Sequence, residues 1–227
     1  MALISTRYTF DFVAANLPRN AERILEIGCG NGALAALLQA DGLEVTAIDS
    51  DPDAVAAAQV AGVDARLLAW PSDIGEAFDA ILFTRSLHHI APLDEAVAQA
   101  LRALRPGGRI IVEDFRAEGG GKAAGRWFAD LAPSLIARGA LTAETSLNEL
   151  IAKLAPDDHD LHSSSAIAKA LSAHGASDAS DAAYYFRYFE PYLRDPDKAE
   201  ELLDQEIALI AAGSIEPLGK RFVADLS

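Results

Sequence analysis

The chain has 227 residues, 51% of them hydrophobic and 23% charged, with 19 Lys and Arg against 34 Asp and Glu and a single cysteine. That length and apolar content suit one domain with a real core and argue against an intrinsically disordered chain. The net charge of −15 opposes binding to nucleic-acid phosphates or to an anionic membrane surface, and one cysteine excludes an internal disulfide.

Taken in chain order, the pattern alternates between short apolar runs and Ala-rich amphipathic stretches. RILEI (residues 23–27) reads as a strand, runs into Gly28-Cys29-Gly30-Asn31-Gly32, and is followed by a helix over 33–40. EVTAI (44–48) is a second strand. Asp49-Ser50-Asp51-Pro52 then opens a helix, with acidic or Ser N-cap candidates and Pro at the first helical position. Residues 65–68 and 79–84 predict a third and a fourth strand, 93–104 a helix, Pro106-Gly107-Gly108 a turn, and 109–114 a fifth strand. Further on, Gly119-Gly120-Gly121 predicts a hinge or a mobile loop. Helices are expected over 127–136, 147–154, 165–174 and 197–212, a β-like aromatic run at 182–189, and a final strand at 221–224.

Apolar strands alternating with helices indicate parallel βαβ units with both sheet faces covered, which place ligands beyond the carboxyl ends of the strands. The expected organisation is one domain: a core over 1–115, a cap insertion over 116–160, and C-terminal helices and closing strands over 161–227. No signal peptide and no membrane span is apparent, so a cytoplasmic location is expected. A small-molecule partner is expected, with neither nucleic acid nor membrane.

Gly28 to Ala33 fits G-x-G-x-x-A, a loop that turns sharply, approaches a ligand closely and leads to free helix N–H groups. Glu26, just before it, disfavours a pyrophosphate and favours a cationic or amine-bearing ligand. Asp49, about 20 residues beyond the loop, has two readings: acceptor of two ribose hydroxyls, or N-cap of the following helix.

With these residues in place, the chain resembles the class I S-adenosylmethionine-dependent methyltransferases. The resemblance is carried by ILEIGCGNG (24–32), VTAIDSDPDAV (45–55), FDAILFTRSLHHI (78–90) and LRPGGRIIVEDF (104–115), in the family's order and spacing. Weaker likeness continues in HDLHSSS (159–165), AAYYFRYF (182–189) and LGKRFVA (218–224). The resemblance implies a Rossmann-like, doubly wound, seven-stranded, mostly parallel sheet with one antiparallel strand. It implies S-adenosyl-L-methionine as cofactor and methyl transfer to a small-molecule acceptor. It assigns Glu26, Gly28, Cys29 and Gly30 to the methionine part, Asp49 and Ser50 to the ribose and adenine, Ala69 and Trp70 to the loop after the third strand, and Thr84 and Arg85 to the amino-acid tail. Tyr8 and Arg7 are expected to reach the cofactor from an N-terminal helix. Many members have Asp where this chain has Ala69, so that adenine contact falls to backbone, to Asp73, or is absent. Trp70 either covers the adenine or belongs to the core.

Methyl transfer from a sulfonium asks the protein mainly to align donor and acceptor and to exclude water, so no triad and no metal is required. His89 is the candidate base; its alternative, shared with His88, is to orient the loop. Asp157, Asp158, His159, Asp160 and His162 read as a polar turn or, less simply, as metal ligands. Glu113 and Asp114 have an acceptor-positioning and a helix-capping reading. Cys29 lacks a His partner for nucleophilic catalysis. Tyr184, Tyr185, Phe186, Tyr188 and Phe189 line an acceptor pocket or fill the sheet core. A nicotinamide-dependent oxidoreductase and a non-catalytic cofactor-binding protein are the rival readings.

Overall fold

The computed structural model describes residues 2–116, 119, 121–141, 161–175 and 177–225. In chain order its regular elements are α1 (Ile4–Asn16), β1 (Arg23–Ile27), α2 (Ala33–Ala40), β2 (Glu44–Asp49), α3 (Pro52–Val60), β3 (Asp64–Leu67), β4 (Phe78–Thr84), a 3-10 turn (Leu87–His89), α4 (Leu93–Ala103) and β5 (Leu104–Phe115). There follow α5 (Gly121–Ala137), α6 (Ser164–Ser172), β6 (Ser177–Ala182), α7 (Phe186–Phe189), a 3-10 turn (Glu190–Tyr192), α8 (Lys198–Ala211) and β7 (Gly219–Asp225). The strands form one seven-stranded mixed sheet in the order β3-β2-β1-β4-β5-β7-β6. The pairings of β1 with β2 and β4, of β2 with β3, and of β4 with β5 are parallel. This is the expected Rossmann-like fold.

The chain divides into two compact units, one of Thr6–Asp114, Asp160–Ser180 and Arg221–Ser227, the other of Met1–Ser5, Phe115–His159 and Asp181–Lys220. In the first unit, alternation along the central strands separates two apolar layers. Leu25, Ile27, Ile81, Phe83, Ile110 and Val112 pack with Val97 and Ala100 of α4 and Ile167 and Leu171 of α6. Ile24, Leu82 and Ile111 pack with Val13 of α1, Leu34 and Leu38 of α2, and Val55 and Ala58 of α3. Burial on both faces is why these strands read as unbroken apolar runs in the sequence.

Two expectations need correction. Pro106-Gly107-Gly108 does not precede the fifth strand: β5 already pairs at Leu104 with Phe78, and the next pair is Arg109 with Ala80. The extra residues are absorbed as a bulged excursion of β5, because Asp79 ties the Arg105 guanidinium at 3.0 Å and the backbone N–H groups of Glu22 and Arg23 at 2.9 and 2.8 Å. Nor is the aromatic run at 182–189 a strand. The strand is the polar SDASDA segment of β6 at the edge of the sheet, where exposed polar side chains suit an unpaired margin.

The second unit shows why. Glu206 of α8 is fully buried, and its carboxylate accepts from the backbone N–H groups of Tyr184 at 2.6 Å, Tyr185 at 3.0 Å and Phe186 at 2.9 Å. Those N–H groups are therefore withdrawn from any ladder, and the chain turns into α7. Burial pushes the Glu206 carboxyl above its usual range. The aromatic side chains pack with α5: the Phe128 ring stacks on Phe189 at 4.5 Å, and Trp127 meets Tyr185 edge-on at 5.9 Å. A second carboxylate, Glu190, accepts from the N–H groups of Ile4 at 2.5 Å and Ser5 at 3.2 Å. It supplies the start of α1 with the anionic cap that the helix's own first turn lacks. Of the expected cap insertion, residues 121–137 form α5, while the expected helix at 147–154 lies outside the described residues.

Candidate functional site

A cleft of about 480 Å³ opens beyond the carboxyl ends of β1, β2 and β4, where strand order reverses between β1 and β4. Gly28 and Gly30 line it from the loop after β1, Asp49 and Ser50 from the end of β2, and Ala69 and Trp70 from the segment after β3. Arg85, Ser86 and His89 contribute from beyond β4. Eight of the residues singled out from the sequence thus converge on one cavity. Among the described residues, Ser86, Ile27, Leu68, Ile90 and Ala91 also line it. Their only signal in the sequence is adjacency to the motifs, since small and apolar wall residues carry no chemistry of their own.

The glycine loop is built by close approach. Gly28 has φ +74°, and a Cβ there would lie 2.5 Å from the Cβ of Ser86, whose hydroxyl donates to the Ile27 carbonyl at 2.6 Å. Gly30 has φ +54° and open space where its Cβ would be, so it presents bare backbone to the cleft. Its N–H donates to Asp49 Oδ2 at 2.9 Å, and Asp49 Oδ1 accepts from the Asp51 N–H at 3.0 Å. The cap of α3 is Asp51, which accepts from the Asp53 N–H at 2.9 Å, so the capping reading of Asp49 passes to Asp51.

Glu26, Cys29, Thr84 and Tyr8 do not line the cleft. Glu26 is 1% exposed; Thr84 Oγ1 donates to its Oε1 at 3.1 Å, and the Ala35 backbone N–H also supports the carboxylate. Burial raises the Glu26 carboxyl to about 7, against the opposing effects of Thr84 and Arg85. Burial and the charges of Glu26 and Asp49 push the Cys29 thiol to about 12, so it stays protonated and is not a nucleophile at neutral pH. The Tyr8 ring lies under the Arg221 guanidinium at 4.1 Å. The Trp70 indole N–H donates to the Ala96 carbonyl at 3.0 Å and the ring joins the core beside α4, with part of its surface on the cleft. Asp73 is engaged by the Gly75 N–H at 2.9 Å and is not a lining residue.

His88 is buried, with Nδ1 2.6 Å from Asp114 Oδ1 and its own N–H donating to Asp114 Oδ2 at 3.2 Å. Its ring backs the exposed ring of His89 at 4.0 Å between centroids. His162 ties the same loop, donating its backbone N–H to the His88 carbonyl at 2.9 Å and placing Nε2 2.9 Å from the Ile90 carbonyl oxygen. Glu113 and Asp114 are therefore buried anchors rather than helix caps or cleft-facing acceptor groups. Asp157, Asp158, His159 and Asp160 lie outside the described residues, among which no cluster of metal ligands occurs.

The raised Glu26 carboxyl has a thermodynamic consequence. Because the folded state holds this proton up to about pH 7 and the unfolded chain releases it near 4.5, the contribution is fully present below pH 4.5 and is lost as pH rises through 7. Glu26→Gln is expected to remove this component, whose slope approaches about 1.4 kcal/mol per pH unit. Urea melts of both proteins between pH 5 and 8 check it (range of order 3 pH units), and parallel curves would exclude Glu26 as the source.

A family model described as a methyltransferase domain matches residues 4–176. The chain is 33% identical over 111 residues to a ubiquinone biosynthesis O-methyltransferase of Xylella fastidiosa (strain 9a5c), covering 45% of each protein. It is 37% identical over 123 residues to 27-O-demethylrifamycin SV methyltransferase of Amycolatopsis mediterranei (strain S699), covering 49% of this chain and 45% of that one. The chain thus spans a little under half the length of these curated relatives. Among solved structures, the [4+2]-cyclase SpnF superposes with a TM-score of 0.61 at 22% identity, over 97% of this chain and 81% of that one. Phosphoethanolamine N-methyltransferase 2 of Haemonchus contortus, solved with S-adenosyl-L-methionine, gives 0.60 at 17% identity, over 96% and 52%. These two likenesses show the fold. The family match takes in most of the chain and every residue lining the cleft, and the chain belongs to the methyltransferase-domain family.

Proposed function

We propose that this protein is an S-adenosyl-L-methionine-dependent methyltransferase acting on a small-molecule acceptor. The observation that carries the reading is the pairing of Asp49 with the bare Gly30 backbone at the mouth of the switch-point cleft. The cofactor fits the groups present: Asp49 accepts ribose hydroxyls, Ser50 and the backbone at Ala69 border the adenine, and Trp70 closes that end. Gly28 and Gly30 admit the methionine part. Arg85 faces the tail carboxylate. When bound, the cofactor supplies an activated methyl group on a sulfonium.

The chain's own task is alignment and exclusion of water. Of the residues lining the cleft, His89 carries the imidazole and is assigned to take up an acceptor proton where the acceptor must lose one. His88, fixed by Asp114, backs that ring. A small acceptor is supported by the curated relatives, whose names concern quinone and rifamycin methylation, and by the net charge of −15, which disfavours polyanions. No described helix is long and apolar enough to cross a membrane.

Calorimetric titration with S-adenosylhomocysteine and with NAD tests the cofactor reading. Binding of the former at micromolar concentration without the latter is expected; tight NAD binding alone overturns it. Transfer of labelled methyl to a panel of phenolic and hydroxylated acceptors tests activity.

A further inference from the structure

We propose that Thr9 and Glu113 form a positioning relay that aims the Arg85 guanidinium at the carboxylate of the cofactor's amino-acid tail, making the docking of α1 part of tail recognition. This rests on the cofactor reading above. Arg85 adopts φ +60°, a left-handed conformation unusual for a residue with a side chain, held by its N–H donating to the Glu113 carbonyl at 2.7 Å. Its Nη1 lies 3.4 Å from Thr9 Oγ1 and 3.6 Å from Glu113 Oε1, and Arg85 is one of the residues lining the cleft.

Glu113 is 1% exposed, so its charge requires close partners. Arg221 provides them, with Nε at 2.8 Å and Nη2 at 2.6 Å from Oε2. Arg221 cannot swing away readily, because its guanidinium is stacked on the rings of Tyr8 at 4.1 Å and Phe12 at 4.4 Å. Among the described residues, two guanidinium groups flank this carboxylate, and Arg85 is the more loosely held of the two. Its Nη1 lies 3.6 Å from the carboxylate against 2.6 Å for Arg221 Nη2, and it is the more exposed, 38% against 12%. Among the described residues lining the cleft, which include Asp49, Arg85 is the one Lys or Arg.

Thr9 connects the helix to this arrangement. Its hydroxyl donates to Glu113 Oε1 at 2.5 Å, which turns an oxygen lone pair toward Arg85 Nη1. Glu113 thus orients the Thr9 hydroxyl, and that hydroxyl and the carboxylate together fix one edge of the guanidinium. Among the described residues the other donors of this guanidinium make no hydrogen bond, which leaves them for an anion. Thr9 and Glu113 act through Arg85 and are positioning residues.

The test compares S-adenosylhomocysteine with 5′-methylthioadenosine, which keeps the nucleoside and thioether but lacks the amino-acid tail. Thr9→Val removes the hydroxyl at nearly constant shape. It is expected to weaken S-adenosylhomocysteine by roughly 5- to 10-fold while leaving 5′-methylthioadenosine unchanged, and Thr9→Ser is expected to restore the difference. Arg85→Gln, on an exposed side chain, should abolish most of the discrimination between the two ligands and keeps the test decisive if Thr9→Val does not fold. Equal weakening of both ligands by Thr9→Val, or discrimination unchanged in Arg85→Gln, overturns the relay. Failure of the unaltered protein to bind either ligand overturns the cofactor reading itself.

Discussion

Asp49→Ala is expected to raise the dissociation constant for S-adenosylhomocysteine by about 10- to 100-fold, about 1–3 kcal/mol. Two losses add in this variant. The ribose loses an ionised acceptor, whose hydrogen bonds exceed neutral ones in strength. The Gly30 N–H, held by Asp49 Oδ2 at 2.9 Å, loses its partner, so the bare backbone of the loop is no longer fixed. Asp49→Asn retains an acceptor oxygen and is expected to fall between the two. Calorimetry reads the affinity and a thermal melt confirms that the fold is kept, since Asp51 and not Asp49 caps α3. Unchanged affinity in a folded Asp49→Ala protein would remove Asp49 from the site.

Gly28→Ala is expected to destabilise the fold by about 2–5 kcal/mol, from left-handed strain of about 1–2 kcal/mol and overpacking of about 1–3 kcal/mol. The second contribution is geometric: the new methyl would lie 2.5 Å from Ser86 Cβ, on a residue held by its hydroxyl on the Ile27 carbonyl. The double variant Gly28→Ala with Ser86→Gly should therefore recover part of the loss, the overpacking part, and keep the backbone strain. Urea unfolding of both variants, with Ser86→Gly alone as the reference, measures this. Full stability of Gly28→Ala alone would mean that β1 and the segment after β4 do not approach as closely as described.

The helices and strands of the first unit were readable because their signals are local. A parallel sheet covered on both faces turns each strand into a short apolar run, and Asp51 followed by Pro52 marks the start of α3 within four residues of sequence. The glycine loop was readable for a similar reason: Gly28 and Gly30 at positive φ report a backbone requirement that few other residues meet. The errors lie where a distant residue decides. Glu206, some twenty residues away, takes the N–H groups that the aromatic run would have needed for a strand. The register of β5 depends on Asp79, which anchors Arg105 across the bulge.

For the site, the sequence alone was enough to name most of the residues that converge on the cleft, since each motif sits at the end of a strand and parallel strands bring those ends together. It could not rank the charged ones. Glu26 and Asp49 are both acids near one loop, yet one is sealed behind it with a carboxyl raised to about 7 and the other lines the cavity. Glu113 looked like a group facing an acceptor and is a buried anchor for Arg221, Thr9 and Arg85. Burial and the distance to a counter-charge fix what a carboxylate does, and both are set by residues far away in the chain: Thr9 and Arg221 reach Glu113 from more than 100 positions in either direction. The pattern of residue types therefore determined the fold and the location of the cleft, because hydrophobic periodicity and turn chemistry act locally. Which charges face the ligand and which hold the frame was decided by tertiary structure, because desolvation and Coulomb interactions depend on distance in space.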